Sequence, residues 1–178
     1  NAGPYVTAAT GKDSLAVGAT AAATSGAGTA VGEASRAYSF STALGYNANA
    51  SGQNSMALGA SSKAMGVQQT VLGTNAQADI LSTESVVVGR GASAINSAFS
   101  TVVGTGASAV GNTNSVFGYK ASAINVNNAI SMGDGASVTG SAGIALGSGA
   151  EATGNLTTAI GVGAASNGVT GIALGTNA

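Results

Sequence analysis

The 178-residue chain contains no cysteine and no histidine. Without cysteine it can form neither a disulfide framework nor a thiolate metal site. Without histidine it lacks the commonest general base and the commonest metal ligand. We therefore expect no catalytic residues, no metal site and no cofactor, and a function other than that of an enzyme.

Charge and long apolar runs are also scarce. Only 6% of the residues are charged and the net charge is −1, so the chain offers no electrostatic footprint for nucleic acid or for anionic lipid. No run of about 20 apolar residues occurs, so we expect no direct membrane insertion by this segment. The chain starts at Asn1 without a signal-peptide pattern, and we interpret residues 1–178 as one repeat domain excised from a longer surface protein.

The residues that are present are mostly small. The chain has 29 glycines and is 44% hydrophobic but only 4% aromatic, so its apolar side chains cannot fill a thick core. These small residues follow a repeat, in which an apolar residue precedes glycine at nearly constant spacing. The twelve repeat glycines, as we call them, are Gly18, Gly32, Gly45, Gly59, Gly73, Gly89, Gly104, Gly118, Gly133, Gly147, Gly161 and Gly175, with spacings of 13 to 16 residues and most often 14.

The columns of the repeat predict two strands and two turns in each unit. The third and fifth residues after the repeat glycine are mostly alanine, as at Ala48 and Ala50. The seventh is often glycine or asparagine, as at Gly52, and we expect a turn with positive φ there. Alternation of period two on both sides of the repeat glycine favours strands over helices. The sequence thus predicts an all-β parallel solenoid of about twelve turns.

Residue size suggests which columns face inward. The residue before each repeat glycine is large and apolar, and we predict that it fills the core. The residue one step earlier would then point outward, yet eleven of its twelve copies are apolar, which predicts a buried contact with further copies of the chain. These predicted interface residues are Ala16, Ala30, Ala43, Ala57, Val71, Val87, Val102, Val116, Ala145, Ala159 and Ala173.

Two other columns complete this prediction. The fourth residue after the repeat glycine is mostly polar, as at Arg36, Asn49 and Lys63, so we expect that strand to face water. Threonines recur three residues before the repeat glycine, as at Thr29 and Thr42. We place this column inward, where it could not act as an ice-binding threonine ladder.

No catalytic or nucleotide-binding constellation emerges. A Ser-Lys arrangement is the remaining nucleophilic option without histidine, but the five cations fall in different units. Patterns such as Gly147-Ser148-Gly149 recur with the repeat and open no helix, so they do not indicate a phosphate loop. Exposed aromatic and arginine side chains are favoured binding anchors, and Tyr46, Arg90 and Tyr119 each directly follow a repeat glycine. We take these three as candidate ligand contacts.

One segment carries a resemblance to a known family. Asn54-Ser55-Met56-Ala57-Leu58-Gly59-Ala60-Ser61-Ser62 resembles the head repeat of YadA-like trimeric autotransporter adhesins, and looser copies recur along the whole chain. The resemblance implies a left-handed parallel β-roll that assembles side by side as a homotrimer on the bacterial outer membrane, facing the extracellular space. It also implies binding to collagen, other extracellular-matrix proteins or host-cell surface proteins, with Asn54, Ser55 and Ser62 as further candidate contacts.

Two other functions are compatible with a neutral solenoid repeat, one as well as adhesion and one less well. A passive spacer, or an autoagglutination module of the same surface fibre, would share the neutral repeated surface. A hexapeptide-repeat acyltransferase is also a left-handed solenoid, but it has a six-residue period and usually a catalytic histidine. We therefore expect an adhesin head that mediates attachment, with the spacer as the alternative.

Overall fold

Each unit of the repeat contributes two short strands to a solenoid, one strand on either side of the repeat glycine. The structure is a computed structural model that describes residues 7–178, and within that range it contains strands and turns but no helix. Strands with odd numbers form one twelve-stranded parallel sheet and strands with even numbers form the other. We call these the odd sheet and the even sheet. This architecture confirms the predicted parallel solenoid of about twelve turns.

The odd sheet consists of two- or three-residue strands, of which all but β1 follow the repeat glycines: β1 (Ala8–Ala9), β3 (Ala22–Ala23), β5 (Arg36–Ala37), β7 (Asn49–Ala50), β9 (Lys63–Ala64), β11 (Gln77–Ala78), β13 (Ser93–Ile95), β15 (Ser108–Val110), β17 (Ser122–Ala123), β19 (Ser137–Val138), β21 (Glu151–Ala152) and β23 (Ala165–Ser166).

The even sheet consists of three-residue strands that precede them: β2 (Leu15–Val17), β4 (Thr29–Val31), β6 (Thr42–Leu44), β8 (Met56–Leu58), β10 (Thr70–Leu72), β12 (Val86–Val88), β14 (Thr101–Val103), β16 (Ser115–Phe117), β18 (Ile130–Met132), β20 (Ile144–Leu146), β22 (Thr158–Ile160) and β24 (Ile172–Leu174). Equivalent residues of successive units pair in register, for example Val102 with Val116, so every column of the repeat becomes a straight ladder.

Two turns of fixed geometry connect the sheets. In the first turn, the repeat glycine has φ between 124° and 142°, and the second residue after it is left-handed in every unit. A Cβ on Gly104 would lie 2.6 Å from the carbonyl carbon of Gly118. The repeat glycine therefore combines a positive φ with a close approach to the backbone of the next unit, and this explains its periodic recurrence.

The second turn differs from its prediction. In every unit a left-handed residue lies five before the repeat glycine, and it is never glycine, as at Phe40 and Leu156. At the predicted position, seven residues after the repeat glycine, Asn96, Gly111 and Asn125 do have positive φ, whereas other predicted turn glycines, such as Gly52 and Gly140, do not. They are required for space instead, because a Cβ at Gly52 would collide with the carbonyl of Gly66.

The second turn also absorbs every change in unit length. The longest unit, between Gly73 and Gly89, carries two extra residues there, Ile80 and Leu81, and both are largely exposed. In every unit except the last, the third residue after the repeat glycine is buried, so the length of the first turn does not vary. Variation in the repeat is thus confined to one edge of the solenoid.

The interior is narrow and lined by small side chains. Its apolar part comes from the residue two before each repeat glycine and from the third and fifth residues after it, for example Val102, Ala107 and Ala109, all with no exposed surface. Parallel strands covered on their inner face by alanine and valine pack closely, and they leave no room for larger side chains. Within residues 7–178 the fully buried side chains are therefore mostly alanine, valine and serine.

This interior reverses the predicted orientation of the even strands. The residues predicted at a surface interface lie inside their own chain: Ala30, Ala43, Ala57, Val71, Val87, Val102, Val116, Ala145 and Ala159 are fully buried, and Ala16 and Ala173 are partly buried against the same core. The large residues before the repeat glycines point outward instead. A shift of one residue moves a whole column to the opposite face, and the large side chains are excluded because the interior accommodates only small ones.

A column of polar side chains is also buried, four residues before the repeat glycine. Ser41 Oγ lies 2.9 Å from the carbonyl oxygen of Tyr38 and 2.8 Å from that of Ala50, and its single hydrogen can be donated to either of them. Asn114 Nδ2 donates to the carbonyl oxygens of Gly111 and Val126, at 2.7 and 2.9 Å. Asn114 thereby supplies donors to two carbonyl groups that receive no backbone hydrogen bond, whereas the carbonyls near Ser41 also accept backbone hydrogen bonds. A buried carbonyl without any donor would be costly.

Candidate functional site

The outer face of the even sheet is apolar along the whole solenoid. The residue before each repeat glycine is valine, leucine, phenylalanine, methionine or isoleucine in all twelve units. Several of these side chains are exposed by more than a third, among them Leu44, Leu72 and Met132. The even sheet therefore exposes an apolar surface, as expected, but the residues before the repeat glycines form it and not the predicted interface residues.

The second outward column of this face is the one three residues before the repeat glycine. It alternates between threonine or serine and larger apolar side chains, such as Thr42, Met56, Val86 and Ile144. The threonines, predicted to point inward, instead lie half-buried or exposed on the outer face. They do not form a continuous ladder, because the apolar members of the column interrupt them.

No charged residue occupies either outward column of the even sheet. The eleven charged side chains of the chain lie in the turns or on the outer face of the odd sheet. With strands about 4.8 Å apart, the twelve even strands present an uncharged face about 50 Å long. An exposed apolar surface of this extent is typical of a protein–protein interface. We call it the apolar face.

The outer face of the odd sheet has the opposite character. Its outward column is the fourth residue after the repeat glycine, and the structure confirms that Arg36, Lys63 and Glu151 are exposed there. Serines occupy the middle of the same column, where Ser122 Oγ lies 3.4 Å from Ser137 Oγ of the next unit. This polar surface can offer repeated hydrogen-bonding groups to a partner.

The predicted anchors Tyr46, Arg90 and Tyr119 lie on one edge of the solenoid. All three are exposed and all three occupy the residue after a repeat glycine in the first turn. Five strand spacings separate Tyr46 from Tyr119, about 24 Å, with Arg90 between them. The ammonium of Lys120 lies 5.0 Å from the centre of the Tyr119 ring, within range of a cation–π contact. The three side chains form a line and not a pocket.

The three candidate contacts implied by the family motif differ in their exposure. Asn54 is exposed in the second turn. Ser55 and Ser62 are 3% and 0% exposed, and their hydroxyls donate to the carbonyl oxygens of Gly52 at 2.6 Å and Gly59 at 2.8 Å. The two serines therefore cannot contact a ligand directly, and this part of the prediction is wrong. The two serines belong to the motif because their hydroxyls stabilise the two turns through these hydrogen bonds.

The sequence did not predict the apolar face, because the largest residues of the even strands were expected to fill the core. A usable signal was present in the alanine columns. Alanine recurs at the third and fifth residues after the repeat glycine in nearly every unit, as at Ala92 and Ala94. An interior lined by alanine on one wall is too narrow to take leucine or phenylalanine from the other wall in every unit.

Two comparisons bear on the identity of this repeat. The YadA head domain repeat matches two segments of the chain, residues 40–62 and 152–178. No curated protein is significantly similar to the chain. No helix in the described residues is long and apolar enough to cross a membrane. The matched segments confirm the predicted resemblance to a YadA-like head repeat in these two parts of the chain.

Proposed function

We propose that this chain, as a YadA-like head domain, is the binding head of a bacterial surface adhesin that attaches to host cells or extracellular-matrix proteins such as collagen. Its role is adhesion and not catalysis, and it acts on the outside of the outer membrane. The observation that carries this proposal is the division of one straight rod into an uncharged apolar face and a polar face, since the first suits assembly and the second suits recognition.

The assembly that fits the apolar face is a homotrimer of parallel rods. Three copies around a common axis can turn their apolar faces inward and keep their odd sheets in water. Straight ladders of identical columns favour such lateral packing, because each unit meets its equivalents at the same height. A charge in this face would lie in a desolvated contact, where an unpaired charge is costly. The left-handed coil of the resembled family is part of the same proposal.

Recognition by such a rod relies on many weak contacts. The odd sheet and the first-turn edge expose serine hydroxyls and the anchors Tyr46, Arg90 and Tyr119. Single contacts of this kind bind weakly, but three copies per trimer and many trimers on one cell supply avidity. An extended partner such as a matrix protein can engage several units at once.

The assembly is tested by introducing a charge on each face of one turn. Val103 is half-buried on the apolar face, and Ser108 is half-buried on the polar face five residues later. We expect the wild-type chain to sediment as a trimer, Val103→Asp to sediment as a folded monomer, and Ser108→Asp to remain a trimer. Circular dichroism checks folding in each case. A wild-type chain that sediments as a monomer at micromolar concentration would contradict the proposed assembly.

Adhesion is tested with trimeric head coupled to beads and exposed to collagen and other matrix proteins, with albumin as control. We expect retention of a matrix protein, and a loss of about fivefold in apparent affinity for Tyr119→Ala, since an anchor contributes about 1 kcal/mol or more. The matched control is Tyr38→Ala, which removes an exposed tyrosine from the opposite edge. Retention no greater than on albumin-blocked beads would favour a passive spacer or an autoagglutination module.

A further inference from the structure

A concavity lies where the outer face of the odd sheet meets the first turns. It has a volume of about 400 Å³ and is lined by Asn47, Ser61, Lys63, Asn75 and Gln77. These five residues come from three successive units, and none of them is apolar or acidic. We call this concavity the amide trough. Its volume is near the lower end of the range for small-molecule sites, about 300–1,000 Å³.

The backbone fixes the side chains of the trough in two parallel ladders. Asn47, Ser61 and Asn75 are the left-handed residues of three consecutive first turns, with φ of 53°, 57° and 57°. Lys63 and Gln77 are register partners in neighbouring odd strands. Equivalent positions are therefore about 4.8 Å apart along the rod. The site is built on regular elements, which hold it in position before any ligand binds.

The trough is limited to these units by the sequence of the same columns. On one side the left-handed position is Ala34, and on the other it is Gly91, neither of which offers a polar side chain. Beyond Gln77 the outward position of the odd sheet becomes Ser93, whose short side chain ends the second ladder. The sequence thus places long polar groups on both ladders in this part of the rod only, among the residues that the structure describes.

The chemistry of the trough favours a sugar. Three carboxamides and one hydroxyl can each donate and accept hydrogen bonds, which matches the hydroxyl groups of a sugar ring.

The charge of the trough favours an acidic sugar. Lys63 is its only charged residue, and its neighbours in the column, Asn49 and Gln77, are uncharged. An ammonium without a neighbouring carboxylate in its ladder is available for a charge-assisted hydrogen bond to an anion. The absence of an apolar lining predicts weak binding to a single site, which the trimer and the cell surface would multiply.

We propose that the amide trough binds a carboxylate-bearing sugar, such as a sialic or uronic acid at the end of a surface glycan. Lys63 contacts the carboxylate, and the amides of Asn47, Asn75 and Gln77 contact ring substituents. This inference rests on the proposed adhesin function only in requiring that the polar face be exposed. It does not require that any matrix protein bind to the head.

The test is a titration of the ¹⁵N-labelled head, in its native assembly, with N-acetylneuraminic acid and glucuronic acid in separate arms. N-acetylglucosamine and glucose serve as neutral controls. We expect the side-chain amide signals of Asn47, Asn75 and Gln77 to shift with at least one acidic sugar and to shift less with either neutral sugar. The arm that responds identifies the source of the carboxylate.

Two variants with the same loss of charge separate a site from a general charge effect. Lys63→Gln should weaken binding of the acidic sugar by about tenfold, as expected for losing a charge-assisted hydrogen bond. Lys12→Gln alters an exposed lysine in a turn of an earlier unit, away from the trough and the anchors, and should leave binding unchanged. Equal binding of neutral sugars, equal weakening by both variants, or no shift at these amides would each overturn the proposal. Matrix-protein retention by Lys63→Gln beads, measured in parallel, reports on the adhesin function separately.

Discussion

Replacement of a single repeat glycine should destabilise the solenoid far more than replacement of a glycine two residues away. Gly104 has φ of 142°, and a Cβ there would lie 2.6 Å from the carbonyl carbon of Gly118. The backbone strain costs about 1–3 kcal/mol, and overpacking against a neighbour that cannot move adds about 1–3 kcal/mol. Gly118 cannot withdraw easily, because it makes the same close approach to Gly133. Together these terms predict about 2–6 kcal/mol for Gly104→Ala.

The matched control is Gly106→Asn in the same turn. Gly106 has φ of 68°, and the nearest atom to a Cβ there is Lys120 Cγ at 3.6 Å, an ordinary contact. Asparagine adopts this left-handed conformation readily, and Asn47 and Asn75 occupy the equivalent position in other units. We expect a change of no more than about 0.5 kcal/mol for this exposed site.

Thermal unfolding followed by circular dichroism measures both variants at equal protein concentration. For a domain of this size, about 2 kcal/mol corresponds to a decrease in Tm of about 4–8 °C, so Gly104→Ala should unfold at least that much earlier than wild type. Gly106→Asn should unfold within about 2 °C of wild type. If the two variants were equally stable, close backbone approach would not be the reason for the glycine column, and the explanation given for the repeat would fail.

Two further predictions concern the interior. Val102→Asp places a carboxylate in the core, where it has no partner, and we expect loss of the folded state by circular dichroism, in contrast to the folded monomer expected for Val103→Asp. Ser55→Ala removes a buried hydroxyl that donates to the carbonyl of Gly52, and denaturant unfolding should show a loss of about 1–3 kcal/mol. The control Ser51→Ala alters an exposed side chain and should change stability by less than about 0.5 kcal/mol.

The periodicity of the sequence predicts the two strands and the first turn of each unit. The repeat glycines mark one turn, and the strands lie on both sides of them, as for Thr101–Val103 and Ser108–Val110. This prediction succeeded because the glycine column reports a backbone requirement, and a backbone requirement repeats in every unit of a solenoid. The polar outward column of the odd sheet was predicted for a similar reason, since it alternates with buried alanine.

The orientation of the even strands could not be obtained from the size of single residues. Val102 and Val103 are both apolar, and the rule that large side chains lie inside selects the wrong one of each pair. The deciding quantity is the width of the interior, which depends on the opposite wall. The amide trough could not be predicted from the sequence either. Asn47 and Lys63 belong to different columns, and the distance between these columns depends on the shape of the first turn.

The confinement of length changes to the second turn has a consequence for how the rod can diversify. Added residues such as Ile80 and Leu81 leave the registers of both sheets intact, with Val71 still paired to Val87 and Ala78 to Ala94. A peptide inserted between Ile80 and Leu81 would project from the second-turn edge, while the strands of both sheets would stay in register. Because successive strands are about 4.8 Å apart, peptides inserted in chosen units would lie in one line along the solenoid at known spacings. The fold is therefore suited to displaying foreign epitopes at measured distances.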